Sequence, residues 1–231
     1  MTASDRIKEA LTNSVRRRSA GRRVFVLHAL GTSQAPGFTS IARANDHLEM
    51  ATSLGIHVDI HLDDAYASAL PFGADLLARG YQVSIALPTG LLTGDRLEGL
   101  LDAPLATVSE IEDFVHLGGT LVPHGHLHLR NALHNRRELV QDALRAVRLV
   151  RDLTGRDPDE FVAPYGRISR PVLRQLRDAG IGTVHLLSHL SSLSFMSPTL
   201  SGRYCIENST TRTAEEFLLA PVNDFRLRPS R

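Results

Sequence analysis

Apolar residues recur along this chain in two alternating rhythms. Runs of five to nine residues rich in Val, Ile and Leu predict strands: RVFVLHAL (23–30), GIHVDIHLD (55–63), QVSIALP (82–88), GTLVPHG (119–125), EFVAP (160–164), GTVHLLS (182–188) and SGRYCIE (201–207). Between them, apolar positions spaced by three and four predict helices over 40–54, 67–79, 107–117, 135–154 and 169–179. Ser109 with Glu112, and Ser169 before Arg170-Pro171, carry helix-start chemistry. Gly55, Gly80, Gly118 and Gly180 each stand where a helical pattern gives way to a strand, as helix-terminating glycines do.

Strand and helix in regular alternation predict an α/β fold with a mostly parallel sheet, open or closed into a barrel. Chemistry in such folds collects at the C-terminal ends of the strands. The polar residues out of keeping with their surroundings fall there: His28, Asp63-Asp64, His124 to His128, Pro164-Tyr165-Gly166, and His185 with His189.

Composition narrows the class. The apolar and charged fractions, 42% and 22%, are those of a globular protein, and the length of 231 residues suits one domain over 22–231 behind a helical or flexible lead-in, 1–21. A net charge of +1 offers no field that would draw nucleic acid. No run is long enough for a membrane span, and the lead-in mixes Asp5 and Glu9 with its arginines, unlike a targeting signal. With Cys205 as the only cysteine, no intrachain disulfide forms, and a cytoplasmic life is expected. A homo-oligomer is left open.

Two stretches carry chemistry. Neighbouring strand residues face opposite ways, so Asp63 and Asp64 serve one site only where the strand gives way to a loop. There they divide the labour between metal binding and proton acceptance, or else they cap the helix that follows. In LVPHGHLHLR (121–130), His124 and His128 are four apart with His126 between them. Extended, the outer two would lie roughly 13 Å apart. They share an ion only if the chain curls after Pro123; otherwise the three make a hydrogen-bonded polar edge. Two imidazoles and a carboxylate leave coordination positions for water and substrate, and suit Zn, Fe, Co, Ni or Mn.

In order and spacing, HLDDA (61–65), HGHLH (124–128) and FVAPYG (161–166) resemble the motifs of the polysaccharide deacetylases, the NodB-homology or carbohydrate esterase family four group. The likeness extends over roughly residues 22–220 and includes ALPFGADLLARGYQVSIALPTGLL, VSEIEDFVHLGGT and ISRPVLRQLRDAGIGTV. The resemblance implies a distorted, incomplete (β/α) barrel and metal-dependent amide hydrolysis on an N-acylated sugar. It implies Asp63 as general base, Asp64, His124 and His128 as ligands to one divalent ion, zinc first among the candidates, and the Tyr165 amide as an oxyanion donor. His126 falls at a variable family position and is expected to support its neighbours.

Four departures from the family pattern matter. Ala65 replaces a glycine, tolerable if its φ is negative. Val162 and Ala163 stand where the family often has the arginine that partners the base, and Arg203 is the candidate replacement. There is no Trp for the fourth motif. No Leu-x-His near the C-terminus supplies the acid, so His189, His185 and His28 compete for it. The expected substrate is a small saccharide, oligosaccharide or glycosylated metabolite. The alternatives are a cyclic or linear amide (allantoin or a cyclic imide), with the loop 188–202 as the discriminating feature, and a non-catalytic binding protein.

Overall fold

The structure, a computed structural model, describes residues 23–187, 192–193, 199–208 and 218. The predicted lead-in over 1–21, His189 and most of the loop 188–202 lie outside these residues. In chain order the strands are β1 (Arg23–Leu27), β2 (Ala29–Leu30), β3 (Phe38–Thr39), β4 (Val58–Asp63), β5 (Val83–Leu87), β6 (Thr120–Pro123), β7 (Glu160–Val162), β8 (Thr183–Leu187), β9 (Ser192–Leu193) and β10 (Thr199–Cys205). The helices are α1 (Ile41–Ser53), α2 (Leu70–Ala78), α3 (Gly90–Thr93), α4 (Val108–His116), α5 (Arg136–Thr154) and α6 (Arg170–Asp178). None of them is long and apolar enough to cross a membrane.

Seven strands pair in parallel in the order β6-β5-β4-β1-β10-β8-β7, with β9 antiparallel on β10. The sheet curls into a nearly closed barrel flanked by helices, as expected from the alternation of elements. Its two end strands, β6 and β7, meet at a seam without a ladder. A hydrogen bond crosses that seam: His124, just after β6, donates from Nδ1 to the Val162 carbonyl of β7 at 2.9 Å, and Val122 packs with Val162 beside it.

Every residue of β4 is buried, and alternation sorts them by face. Val58, Ile60 and Leu62 join a core with Leu48 of α1, Leu76 of α2 and Phe114 of α4. Burying each such side chain stabilises by roughly 1.5–3 kcal/mol. A second apolar cluster packs Leu139, Ala143 and Val147 of α5 and Val172 and Leu176 of α6 on Phe161 and Val184. Asp59, His61 and Asp63 occupy the other face, inside the barrel. There the His61 ring meets His185 with centroids 4.7 Å apart, and Arg203 Nη1 lies 3.4 Å from His61 Nδ1. The barrel interior is therefore a polar column, and buried polar groups of this kind need partners.

Ser169 stands at the N-cap of α6 with Pro171 just inside, but its side chain makes no capping bond, and one other helix start is shifted. The box that starts α4 is Thr107 with Glu110, not Ser109 with Glu112: Thr107 Oγ1 accepts from the Glu110 amide at 3.2 Å, and Glu110 Oε2 accepts from the Thr107 amide at 2.7 Å. The box falls two residues before the expected one, and the preceding Ala106 amide is held on the Ala65 carbonyl at 2.8 Å. All four glycines named above take positive φ, from 65° at Gly55 to 100° at Gly118. Thr107→Ala is expected to lower unfolding stability by about 1 kcal/mol in urea titration. An unchanged midpoint would show that the box contributes nothing.

Candidate metal centre

Strand β4 delivers Asp63 into the barrel, and the chain then turns sharply. Asp64 and Ala65 both take left-handed backbone, φ 66° and 57°. This turn carries Asp64 to the strand end beside Asp63 rather than to the opposite face. The Asp64 amide is held on the Ala86 carbonyl at 3.0 Å. The condition under which alanine replaces glycine freely, a negative φ, is not met at Ala65. An alanine occupies a conformation that costs an L-residue roughly 1–2 kcal/mol, and its fully buried methyl group stays because the surroundings leave no alternative.

The histidine stretch curls, as a shared ion requires. Strand β6 stops at Pro123, Gly125 takes φ 74° and His128 takes φ 57°. Backbone bonds from Thr89 to Gly125, Gly90 to His126 and Glu98 to Leu127, at 3.1, 2.7 and 3.0 Å, tie the loop to the segment after β5. From the other side, Asp142 of α5 accepts the His126 amide at 3.0 Å and the Leu127 amide at 2.6 Å. The rings of His124 and His128 consequently sit with centroids 4.8 Å apart. His126 points elsewhere, between Thr89 Oγ1 and Asp95 Oδ2, each at 2.9 Å. It buttresses the loop.

Asp64, His124 and His128 converge. Asp64 Oδ1 lies 3.5 Å from Nε2 of each imidazole, and all three donor atoms fall within 4.8 Å of one another. Ligand atoms on one tetrahedral zinc sit about 3.4 Å apart, so the spacing fits. The tautomers fit as well. His124 Nδ1 faces the Val162 carbonyl at 2.9 Å, and His128 Nδ1 faces the Glu98 carbonyl at 2.8 Å. A carbonyl only accepts, so both Nδ1 atoms carry a proton, and Nε2 is the atom each ring turns toward Asp64 and a cation. Burial pulls the His124 pKa down to about 4, keeping that ring neutral. Asp64 Oδ1 is buried and accepts no hydrogen bond among the described residues. An ionised oxygen left so is costly, and a divalent cation at this point satisfies it.

Asp63 has a different set of neighbours. Its Oδ1 takes a 2.6 Å bond from Arg203 Nη1, both groups being almost wholly buried. In the ladder Arg203 stands opposite Val24, which pairs with Asp59 on its other side. Its long side chain therefore passes His61 to reach Asp63. Burial opposes ionisation of Asp63, but Arg203 foremost, then His124 and His28, outweighs it and holds the carboxyl below the usual carboxylate range. Asp63 Oδ2 lies 4.0 Å from His124 Nε2 and 4.0 Å from His28 Nε2.

Of the three histidines that compete as proton donor, only His28 is placed at this site. His185 is fully buried inside the barrel, with Nε2 on Glu160 Oε2 at 3.1 Å. His189 is outside the described residues. Tyr165 sits in the turn Pro164–Gly166 with φ 55°, its ring 4.6 Å from that of His128 and its hydroxyl donating to the Glu98 carbonyl at 3.0 Å.

Three supporting residues escape sequence reasoning. Glu98 lends one carbonyl to both His128 and Tyr165, and no side-chain pattern marks a carbonyl. Asp142 left a signal, a carboxylate between Leu139 and Ala143 on the apolar face of α5. Tyr66 directly follows the Asp pair. Its hydroxyl accepts the Leu101 amide at 2.6 Å, and burial, with Asp64 beside it, pushes that hydroxyl's pKa above the usual range.

No family model and no curated protein matches the sequence. Solved structures do match its fold. IcaB from Ammonifex degensii superposes with a TM-score of 0.67 at 17% identity, over 87% of this chain and 95% of that one. A de-N-acetylase from Aggregatibacter actinomycetemcomitans gives 0.65 at 16%, covering 85% and 99%. The Streptococcus pyogenes deacetylase PplD gives 0.64 at 12%, covering 86% and 97%. The chain has the (β/α) barrel fold of the polysaccharide deacetylases.

Because Asp142 shapes the loop without touching an ion, Asp142→Ala should weaken metal affinity by about 10–100-fold while the protein still folds. Competition with a chromogenic chelator measures this. An unchanged affinity would mean that the loop keeps its curl without α5.

Proposed function

We propose that this protein is a metal-dependent hydrolase that removes an N-acetyl or other N-acyl group from a saccharide. The observation that carries the reading is the division of the buried pair: Asp63 engaged by Arg203, Asp64 turned to two imidazoles whose lone pairs face it. The deacetylase fold supports the same reading, and the three solved structures cited above bear deacetylase names or share that fold.

Asp64, His124 and His128 are the residues that would hold the ion. When bound there, a divalent cation, zinc first among those such donors suit, supplies Lewis acidity for the acyl carbonyl and the attacking water. The chain does the rest. Asp63 accepts the proton of that water, and Arg203 keeps it ionised and oriented for the task. The Tyr165 amide, presented by its left-handed turn, donates toward the oxygen on which charge develops. His28, partly open to solvent, returns a proton to the departing amine from Nε2.

Acetate release from N-acetylhexosamine oligomers, with and without chelator, tests the reading. Asp63→Asn should lower kcat at least 100-fold while the protein keeps its metal, and His124→Ala should lose the metal itself. Absence of metal-dependent hydrolysis across sugar amides overturns the proposal, and turnover of cyclic amides instead would move the chemistry to another substrate class. The pH profile carries a further expectation. Removing Arg203 (Arg203→Met) leaves burial to dominate, so the Asp63 pKa rises and the acidic limb of kcat/KM moves to higher pH. A limb that stays in place would show that Arg203 does not set the charge of the base.

A further inference from the structure

His28 has a second set of neighbours besides Asp63. It follows β1 directly, and β10 runs alongside with Cys205 opposite Val26 in the ladder. The Ile206 amide binds the Val26 carbonyl at 2.9 Å, which keeps the end of β10 level with the end of β1. Cys205 Sγ thereby comes within 3.4 Å of His28 Nδ1 and within 3.4 Å of Glu207 Oε1. One ligand atom from each of the three lies within 4.8 Å of the others, and all three residues are partly accessible.

Sulfur with nitrogen or oxygen on one tetrahedral zinc would be separated by about 3.6 Å, close to what is seen. An imidazole, a thiol and a carboxylate form a donor set for borderline or soft divalent ions, not for Mg2+ or Ca2+. The geometry points to a second cation site, His28–Cys205–Glu207, that takes Zn2+ or Cd2+ and lies across Asp63 from the first. Binding breaks the Cys205 S–H bond, sends the proton to solvent and forms an Sγ–metal bond, with no change of oxidation state. Cys205 must lose its S–H proton to bind, whereas the first centre has no thiol, so this site fills after Asp64–His124–His128 and at excess cation. Its consequence rests on the reading above: an ion on Nδ1 pins His28 and sets positive charge beside the proton donor, so occupancy inhibits.

The chain's single cysteine makes the test specific. Protein loaded with one equivalent of Zn2+ is titrated with Cd2+, and the ultraviolet thiolate-to-metal charge-transfer band is followed. The first centre has no sulfur, so any band reports Cys205. The expected result is a band that saturates near one added equivalent, disappears in Cys205→Ala and Cys205→Ser, and needs at least tenfold more Cd2+ in His28→Gln and Glu207→Gln. No band, or a band of unchanged affinity in both of the last two variants, overturns the site. Turnover, where present, should fall in parallel with the band. A saturated band with full turnover overturns the inhibitory role, while the band alone decides the site even if no substrate is turned over.

Discussion

Two adjacent carboxylates buried at one strand end are the constraint around which this molecule is organised. Asp63 and Asp64 are 2% and 5% exposed, and the transfer of one unpaired carboxylate from water costs several kcal/mol. Among the described residues, one guanidinium is hydrogen-bonded to the pair. Arg203 reaches Asp63 because strand order places only β1 between β4 and β10. Asp64 is left facing the Nε2 atoms of His124 and His128, its Oδ1 without a hydrogen-bond donor among the described residues. A divalent cation would complete the arrangement.

The cost of building that arrangement is visible in the backbone. Four described non-glycine residues take positive φ: Asp64, Ala65, His128 and Tyr165. All four belong to the three segments that meet at the centre. At about 1–3 kcal/mol each, such conformations persist only where surrounding contacts dictate them. Here those contacts are the Ala65–Ala106 backbone bond, the clasp of Asp142 on the histidine loop, and the Glu98 carbonyl shared by His128 and Tyr165. The apolar shell under the helices holds the strands. The polar interior and these clasps hold the site.

Much of the fold was legible because the longer strands are short runs rich in Val, Ile and Leu, and four of the helical stretches give way to a glycine before the next strand. The gathering of Asp63, Asp64, His124 and His128 at one end followed from the placement of polar residues at strand ends. Other features had no local signature. His28 and His185 look equivalent in sequence, each set in a Val- and Leu-rich run, yet one sits at the rim and the other inside the barrel. Arg203 is one arginine among many, distinguished only by the ladder position that lets it reach Asp63. The left-handed backbone at Ala65 had no signature, since the identity of a small residue does not reveal its φ. Asp142 was readable in principle, as a charge on the buried face of an amphipathic helix.

On the proposed function, Asp64, His124 and His128 hold a divalent cation. Anomalous diffraction from crystals loaded with one equivalent of Zn2+ tests this most directly. One strong anomalous peak is expected about 2.0–2.2 Å from Asp64 Oδ1, His124 Nε2 and His128 Nε2. Zinc bound elsewhere at one equivalent, with Asp64 Oδ1 paired instead to a side-chain cation, would contradict it.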